Sequence, residues 1–386
     1  LLIPLIMKES RGKHTVCIHE GEIHDEQFGG AISPIFLASS YPFIDQDEKR
    51  YPRYFNTPNQ EVIAKKIAAL EKAEAALPFS SGMAAISTTL LSFLKQGDHA
   101  VFQNEIYGGS FNLIHKEFQN YGIEFTLTRG IEVQDFEEAI RPNTRVIYIE
   151  TPSNPLLSIT DIKAVADLAR SRGIISVIDN TFASPVNQTP IDLGIDISLH
   201  SATKYLGGHS DLCAGAVAGN EEHIEKILHK GRNLGGSLSD FTCYMLERSI
   251  KTLGLRIEKH NENAGYVAEQ LELQKGVTKV FYPGLENHKN HDLARSQMHG
   301  FGGMLSFELH ASIDAKAYQK RLKMIKPAMS LAGVESTVIQ PSLTSHALMT
   351  PEERAKQGIS DQLLRLSVGI ENKEDIMEDL IQALEV

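Results

Sequence analysis

A lysine preceded by two hydroxyl side chains is the residue in this sequence best suited to covalent chemistry. Lys204 follows a segment in which Ile195, Ile197 and Leu199 alternate with polar residues, a pattern that predicts a half-buried strand. Burial lowers the pKa of a lysine by penalising its charged form, and the neutral amine is the nucleophile. Two interpretations stay open: Lys204 forms an aldimine with pyridoxal phosphate, or it lies in a solvated polar loop.

Donors that suit a phosphate group occur at two places in the chain. Ser201 and Thr203 precede the lysine, and a Ser-Ser-Gly turn ends at Gly82, where Met83 begins a helical run. Backbone amides at a helix start are unpaired and lie at the positive end of the helix dipole. These four residues favour a phosphate cradle, and an ordinary helix cap is the alternative at Gly82.

Two further residues follow predicted strands and suit a flat, cationic ring. Asp179 ends a nearly continuous apolar run, and an ionised carboxylate there needs a partner. A protonated pyridine nitrogen would be such a partner and would stay an effective electron sink. Tyr107 could stack its ring on the same group. The alternatives are a turn cap for Asp179 and ordinary packing for Tyr107.

An arginine lies inside an apolar strand-like run near the carboxyl terminus. Arg365 is embedded in the sequence Leu-Leu-Arg-Leu-Ser-Val. A buried guanidinium normally has a carboxylate partner, and its forked donors suit the α-carboxylate of a substrate. An internal salt bridge with Glu371 or Asp361 is the alternative.

Alternating strand and helix patterns must position these residues. Strands are predicted at 99–103, 123–127, 145–150, 174–179, 195–200, 214–218, 303–309 and 364–368. Helices are predicted at 60–76, 110–121, 161–172, at 239–273 as one helix or two, and from about 373. The alternation predicts an α/β fold with a mainly parallel sheet covered on both faces. In such folds ligands bind at the carboxyl ends of the strands.

The chain divides into three predicted units. Residues 7–58 are polar with little periodicity, so we expect an arm that lies on another part of the protein or on another subunit. Its end carries Tyr51 and Arg53, which suit either an anion-binding arm or a basic turn. Residues 59–255 are predicted as a large cofactor domain and 256–386 as a smaller substrate domain. The apolar residues before Met7 are set aside, because we expect the natural chain to begin there.

Composition excludes several classes of function. The net charge of −11 over 386 residues argues against binding nucleic acid. No apolar run reaches the roughly 18–20 residues of a membrane helix. The cysteines, Cys17, Cys213 and Cys243, are three and widely spaced, which favours a reducing, cytoplasmic location. His288 and His291 come nearest to a metal-ligand spacing but lack further ligands, so no metal is expected.

Taken together, these motifs resemble those of the transsulfuration family of pyridoxal-phosphate enzymes in cysteine and methionine metabolism. The resemblance runs from about Thr15 onward. It is carried by Tyr-x-Arg-x-x-Asn at 51–56, Ser-Gly-Met-Ala at 81–84, Tyr-Gly-Gly at 107–109, Thr-Pro-Ser-Asn-Pro at 151–155, Asp-Asn-Thr at 179–181, Ser-Ala-Thr-Lys-Tyr at 201–205, Ser-Leu-Ala-Gly-Val-Glu-Ser at 330–336 and Arg-Leu-Ser-Val-Gly at 365–369. It implies the aspartate-aminotransferase-like fold type I and a homodimer as the minimal active unit, commonly paired into a homotetramer.

The resemblance also implies a role for each matching residue. Lys204 would hold pyridoxal phosphate and then move protons, Asp179 would pair with the pyridine nitrogen, and Tyr107 would stack on the ring and assist proton transfer. Further cofactor and substrate contacts are implied for Gly82, Met83, Ser201 and Thr203 at the phosphate, Tyr51 and Arg53 at the phosphate of the neighbouring subunit, and Asn154, Ser330 and Arg365 at the substrate carboxylate and the ring oxygen.

Two positions bear on which reaction the resemblance implies. Glu335 matches an acidic residue of cystathionine γ-synthases and γ-lyases, where β-lyases often have an aromatic residue. Methionine γ-lyases usually carry cysteine where Gly109 stands. We therefore expect C–S chemistry at the γ-carbon of a sulfur amino acid or an activated homoserine, with synthase and lyase both open. The alternatives are a cystathionine β-lyase, a methionine γ-lyase and a non-catalytic, cofactor-binding regulatory protein.

Overall fold

Two β-sheets organise the chain. The computed structural model describes residues 11–344, 347 and 350–385, so Met7 and the first residues of the predicted arm lie outside the described part. One sheet has seven strands and comes from the first part of the chain, and the other has five and comes from the last part.

The seven-stranded sheet is mainly parallel. Its strands are β1 (Ala75–Phe79), β2 (His99–Phe102), β3 (Glu124–Leu127), β4 (Thr144–Glu150), β5 (Ile175–Asp179), β6 (Ile197–His200) and β7 (Gly215–Gly219), in the order β1-β7-β6-β5-β4-β2-β3. Strands β2 to β6 pair in parallel, and β7 runs antiparallel to both of its neighbours. The carboxyl ends of β1, β2, β4, β5 and β6 therefore lie at one edge.

Helices cover both faces of this sheet. They are α1 (Lys13–His19), α2 (Pro58–Glu71), α3 (Gly82–Phe93), α4 (Gly108–Lys116), α5 (Val133–Ala139), α6 (Ile162–Ser171), α7 (Ser184–Asn187), α8 (Glu221–Leu234) and α9 (Asp240–Ile250). Ile147 and Ile149 of β4 pack in the cluster that contains α6, whereas Tyr148 packs in the cluster that contains α3. Successive side chains of a strand point to opposite faces, so the alternating clusters confirm the predicted α/β architecture.

The five-stranded sheet is mostly antiparallel. Its strands are β8 (Val277–Phe281), β9 (Met304–Leu309), β10 (Lys326–Pro327), β11 (Thr337–Ile339) and β12 (Leu363–Ser367), in the order β10-β11-β12-β9-β8. Its helices are α10 (Leu253–Glu272), α11 (His291–Gln297), α12 (Ala315–Arg321), α13 (Pro351–Lys356) and α14 (Lys373–Leu384). Residues of α10, α12 and α14 share one apolar cluster with these strands, so the sheet has its own core.

Most predicted elements are present, with boundaries shifted by one to a few residues. The segment 239–273 forms two helices, α9 and α10, and the predicted boundary at residue 255 falls inside α10. The helix predicted at 60–76 was wrong at its end, because Lys72 adopts φ 57° and stops α2 at Glu71. Strand β1 was therefore not predicted, and neither was α1 within the polar arm.

Candidate active site

Lys204 lies just beyond the carboxyl end of β6 and faces the second sheet's connecting loops. Its Nζ donates a 2.8 Å hydrogen bond to Oγ of Ser330. Burial, with the positive charge of Arg365 nearby, lowers the pKa of Lys204 from 10.5 to about 8. The side chain is half-buried and hydrogen-bonded to Ser330, which differs from the interpretation of a solvated loop. A neutral amine is therefore accessible near neutral pH.

Arg365 of β12 approaches the same space from the five-stranded sheet. Its Nη1 donates to Oδ1 of Asn154 at 2.8 Å and its Nη2 to the Ser330 carbonyl at 3.4 Å, while its buried Nε has no partner in the described structure. The predicted alternative was wrong, because Asp361 pairs with another arginine and Glu371 accepts from a serine. A buried guanidinium with a free N–H suits the carboxylate of a ligand.

The start of α3 packs directly against the turn after β6. A Cβ on Gly82 would lie only 2.8 Å from Cβ of Ser201, so glycine is required for this approach. Ser81 caps the helix by accepting the Ala84 N–H at 3.0 Å, which agrees with the helix-cap alternative. The amides of Gly82 and Met83 nevertheless lie in the first turn, where no intrahelical acceptor exists. These amides and the Ser201 hydroxyl can together hold a phosphate group.

Thr203 uses its hydroxyl within the protein. Its Oγ1 donates to the Ala214 carbonyl at 3.1 Å and accepts the Ala214 N–H at 3.0 Å. These bonds tie the two ends of the loop between β6 and β7, which carries Lys204. The structure therefore gives Thr203 a loop-closing contact in addition to its predicted phosphate contact.

Asp179 ends β5 at the same edge of the sheet. Its Oδ1 accepts the Thr181 N–H at 3.0 Å, as the turn-cap alternative requires, and its Oδ2 lies 3.5 Å from the Tyr148 hydroxyl. Burial raises the pKa of Asp179 above its ordinary value. A cationic ring nitrogen beside this carboxyl would favour its ionised form, so Asp179 suits a pyridinium partner.

Tyr107 stands at the start of α4 and is 46% exposed. Its N–H donates to Oε2 of Glu150 at 2.8 Å. A Cβ on Gly109 would come within 2.4 Å of the Tyr107 ring, so a larger residue at position 109 would displace the ring. Glu150 was not among the predicted site residues, although its sequence carries a signal, a carboxylate at the end of an apolar strand.

Glu335 lies in the loop before β11 and contacts the turn that follows Lys204, named here the Lys204 turn. Its Oε1 accepts a 2.5 Å hydrogen bond from the Ser210 hydroxyl, and the neighbouring Val334 N–H donates to the Gly208 carbonyl at 3.0 Å. These contacts hold the acidic side chain against Ser210, which is six positions beyond Lys204 in the chain. Glu335 therefore adds a negative charge beside the Lys204 turn.

Tyr51 and Arg53 lie elsewhere in this chain. The Arg53 guanidinium contacts the rings of Tyr51 and Tyr54, 5.8 and 5.2 Å from their centroids, and donates to the Arg232 carbonyl. Within the part of the chain that the structure describes, no hydrogen bond joins either residue to Lys204 or to the site residues around it. Tyr51 is 45% exposed, which leaves this pair accessible to another molecule.

Two negative findings, on metal ions and on membranes, hold for residues 11–344, 347 and 350–385. No group of three or more histidine, cysteine, aspartate or glutamate side chains there could hold a metal ion. None of the helices in the same part of the chain has the length and apolar character needed to cross a membrane. Cys17, Cys213 and Cys243 are all free thiols.

Comparison with known proteins decides the family. Residues 14–385 match the family model described as Cys/Met metabolism PLP-dependent enzyme. The chain belongs to this family. It is 43% identical to a cystathionine gamma-lyase of Bacillus subtilis, with 97% of this chain and 99% of the relative covered. It is 44% identical to a cystathionine beta-lyase of the same organism, with 92% of each chain covered.

A solved member of the same family has the same fold. The crystal structure of cystathionine gamma-lyase from Lactobacillus plantarum, complexed with L-serine, matches with a TM-score of 0.93 at 39% identity, over 97% of this chain and 98% of that one. The fold is thus that of fold-type I enzymes, and the protein is a pyridoxal-phosphate-dependent enzyme of cysteine and methionine metabolism. The amine, cradle, acid and ring described above fit this cofactor.

Proposed function

We propose that this enzyme makes or breaks the C–S bond at the γ-carbon of cystathionine, as a γ-lyase or γ-synthase. The observation that carries the proposal is the carboxylate of Glu335, held by Ser210 on the Lys204 turn. Cystathionine has a second ammonium group at its far end, which a carboxylate at that position can pair with, whereas methionine has none. Because β- and γ-lyases are similar to this chain at nearly equal identity, the choice of the γ-carbon rests on the match of Glu335 to the acidic residue of γ-synthases and γ-lyases.

Four features of the site would hold pyridoxal phosphate. Lys204 would bind it covalently through Nζ. The Gly82 and Met83 amides with Ser201 and Thr203 would bind its phosphate, Asp179 its ring nitrogen and Tyr107 its ring face. When bound, the cofactor draws electrons from the substrate's α-carbon and so makes the attached C–H bond more acidic.

Lys204 would be the group that moves protons. With a pKa of about 8, about one amine in ten is neutral near pH 7 and able to accept the α-proton. Release of a γ-substituent also requires loss of a β-proton, and the same Nζ can carry it. The Ser330 hydroxyl, 2.8 Å from Nζ, would hold the amine within reach, and the Tyr107 hydroxyl would assist the transfers.

Arg365 and Asn154 would orient the substrate. The hydrogen bond from Nη1 to Asn154 fixes the orientation of the Arg365 guanidinium. Its Nε, which has no partner in the described structure, is then free to donate to a ligand. A substrate carboxylate on this fork would place the α-carbon near Lys204, since Ser330 contacts both side chains. Asn154 would also contact the cofactor's ring oxygen.

The active unit would be a homodimer, paired further into a homotetramer. Tyr51 and Arg53 would then complete the phosphate site of the neighbouring subunit. Apolar side chains on the arm support this, because Phe28, Leu37, Phe43 and Ile44 are between 66% and 82% exposed in the single chain and would be covered by a second copy. The three free thiols suit a cytoplasmic location.

The decisive experiment identifies the products formed from L-cystathionine by the cofactor-loaded protein. We expect 2-oxobutanoate, cysteine and ammonia, which follow from cleavage at the γ-carbon. Pyruvate and homocysteine would instead mean cleavage at the β-carbon and would overturn the γ assignment. The Glu335→Gln variant, which keeps the shape and removes the charge, should raise KM for cystathionine about tenfold with a smaller effect on kcat.

A synthase is the second candidate because γ-replacement uses the same groups. If cystathionine is barely cleaved, the protein is assayed with an O-acyl homoserine and cysteine. Formation of cystathionine would then assign γ-synthase activity. The absence of both reactions would sink the proposed γ-chemistry.

A further inference from the structure

Two carboxyl groups face each other beneath the predicted ring position. Glu150 and Asp179 are direct register partners on the parallel strands β4 and β5, so their side chains project from the same face of the sheet. The Tyr148 hydroxyl lies between them, 3.4 Å from Oε1 of Glu150 and 3.5 Å from Oδ2 of Asp179. Tyr148 is fully buried.

This arrangement of two carboxyl groups around one hydroxyl needs a proton on one of the carboxyl groups. A hydroxyl has a single proton and can donate to one acceptor at a time. Burial raises the pKa of Tyr148 well above its ordinary value, so the hydroxyl keeps its proton. If both acids were ionised, one carboxylate would face the lone pairs of the Tyr148 oxygen beside a second buried negative charge. A proton on one acid removes both conflicts.

The surroundings decide which acid holds that proton. Glu150 is 6% exposed, whereas Asp179 is more open to the site and is also influenced by His200, which favours its charged form. The groups that act on Glu150 are the Asp179 carboxyl from β5, the Tyr148 hydroxyl from β4 and the Tyr107 N–H from α4. Burial and then Asp179 raise the pKa of Glu150 well above its ordinary value.

We propose that Glu150 is a neutral carboxylic acid in the working enzyme and acts as a positioning residue for Asp179 and Tyr107. Its O–H donates to Tyr148, whose hydroxyl donates to Asp179, while its other oxygen accepts the Tyr107 N–H at 2.8 Å. Asp179 is then the one negative charge of the pair and is directed toward the ring nitrogen. One buried proton thereby serves two of the groups predicted to hold the cofactor.

This role rests on the proposed placement of the ring nitrogen at Asp179, but the protonation itself is measurable without turnover. Infrared difference spectra of the holoenzyme at neutral pH, wild type minus Glu150→Gln, should contain the C=O stretch of a protonated carboxylic acid. Tyr148→Phe should keep this band and shift its frequency, since the acid loses its acceptor. The exposed Glu137, paired with Arg172 at 2.7 Å, gives the control, because Glu137→Gln should remove carboxylate bands only.

Cofactor affinity supplies a second readout. Glu150→Gln retains an acceptor for the Tyr107 N–H and a donor to Tyr148, so its dissociation constant for pyridoxal phosphate should stay within about threefold of wild type. Glu150→Ala loses both and should bind at least about tenfold more weakly. The proposal would be overturned if the folded Glu150→Gln variant lost a carboxylate band instead of the carboxylic-acid band. If that variant does not fold, a Tyr148→Phe spectrum without a shifted acid band would do so. Neither outcome depends on which C–S bond the enzyme cleaves.

Discussion

The guanidinium of Arg365 donates a 2.8 Å hydrogen bond to the side chain of Asn154, 211 positions earlier in the chain. This bond joins β12 of the five-stranded sheet to the loop that follows β4 of the seven-stranded sheet. It therefore places a predicted substrate-binding arginine over the edge that carries Lys204. The candidate active site therefore lies between the two sheets.

Replacing Arg365 should separate activity from stability. Arg365 is buried and forms no ion pair within the described residues, so its charge lacks a compensating carboxylate. We expect Arg365→Leu to raise the free energy of unfolding of the cofactor-free protein by about 1 kcal/mol or more. The same change should lower kcat/KM at least about 100-fold, because the carboxylate fork is lost.

Urea denaturation and steady-state kinetics on the purified variant check both expectations. Arg365→Lys is the control, since it keeps the charge without the fork and should not gain stability. A less stable Arg365→Leu protein would contradict the uncompensated buried charge, and an unchanged kcat/KM would contradict a substrate-binding role.

The lowered pKa of Lys204 should appear in the pH dependence of stability. The folded pKa is about 8, against an ordinary value of 10.5. Between these values the unfolded chain binds a proton that the folded chain does not, so the free energy of unfolding should rise with pH across this window. The expected contribution is on the order of 1–2 kcal/mol, reduced because the side chain is partly exposed.

Other titrating groups act equally in wild type and in Lys204→Met, so the two cofactor-free proteins are compared by urea denaturation near pH 8 and near pH 10. The free energy of unfolding of Lys204→Met minus that of wild type should fall as pH rises. A difference that stays constant would mean that the amine has an ordinary pKa.

Gly109 should control the position of Tyr107. A Cβ at residue 109 would lie 2.4 Å from the Tyr107 ring and 2.9 Å from Sδ of Met83, so Gly109→Cys must displace one or both. We expect kcat/KM for cystathionine to fall about tenfold, in line with the cost of overpacking, and the absorbance of the bound cofactor to change. Gly265→Ala, with no atom within 4 Å of its added Cβ, should keep kcat/KM within about twofold. Full activity in Gly109→Cys would argue against a fixed Tyr107 ring.

A shared active site should allow two inactive variants to restore each other. If Arg53 serves the neighbouring subunit, a hybrid dimer of Arg53→Ala and Lys204→Ala chains contains one intact site and one doubly altered site. Random mixing after reversible dissociation should recover about a quarter of wild-type activity, because half of the dimers are hybrids with one working site each. Each variant alone is the control. Hybrids without activity would place Arg53 and Lys204 in the same subunit's site.

The sequence alone determined the order of the elements and the residue types at the sheet edge. Apolar runs that end in Asp179 or lead to Lys204 predict buried strands with polar ends, because hydrophobic periodicity is a local property. The short strand β1 was missed because nothing local separates its apolar residues from those of the preceding helix until Lys72 adopts a left-handed conformation.

Only the tertiary structure decided which polar groups meet. The contacts of Lys204 with Ser330 and of Arg365 with Asn154 join residues 126 and 211 positions apart, and their distances depend on how two sheets pack. The pairing of Glu150 with Asp179 depends likewise on the register of neighbouring strands. Periodicity predicts which face a side chain occupies, whereas register and packing between distant segments set which charges become neighbours.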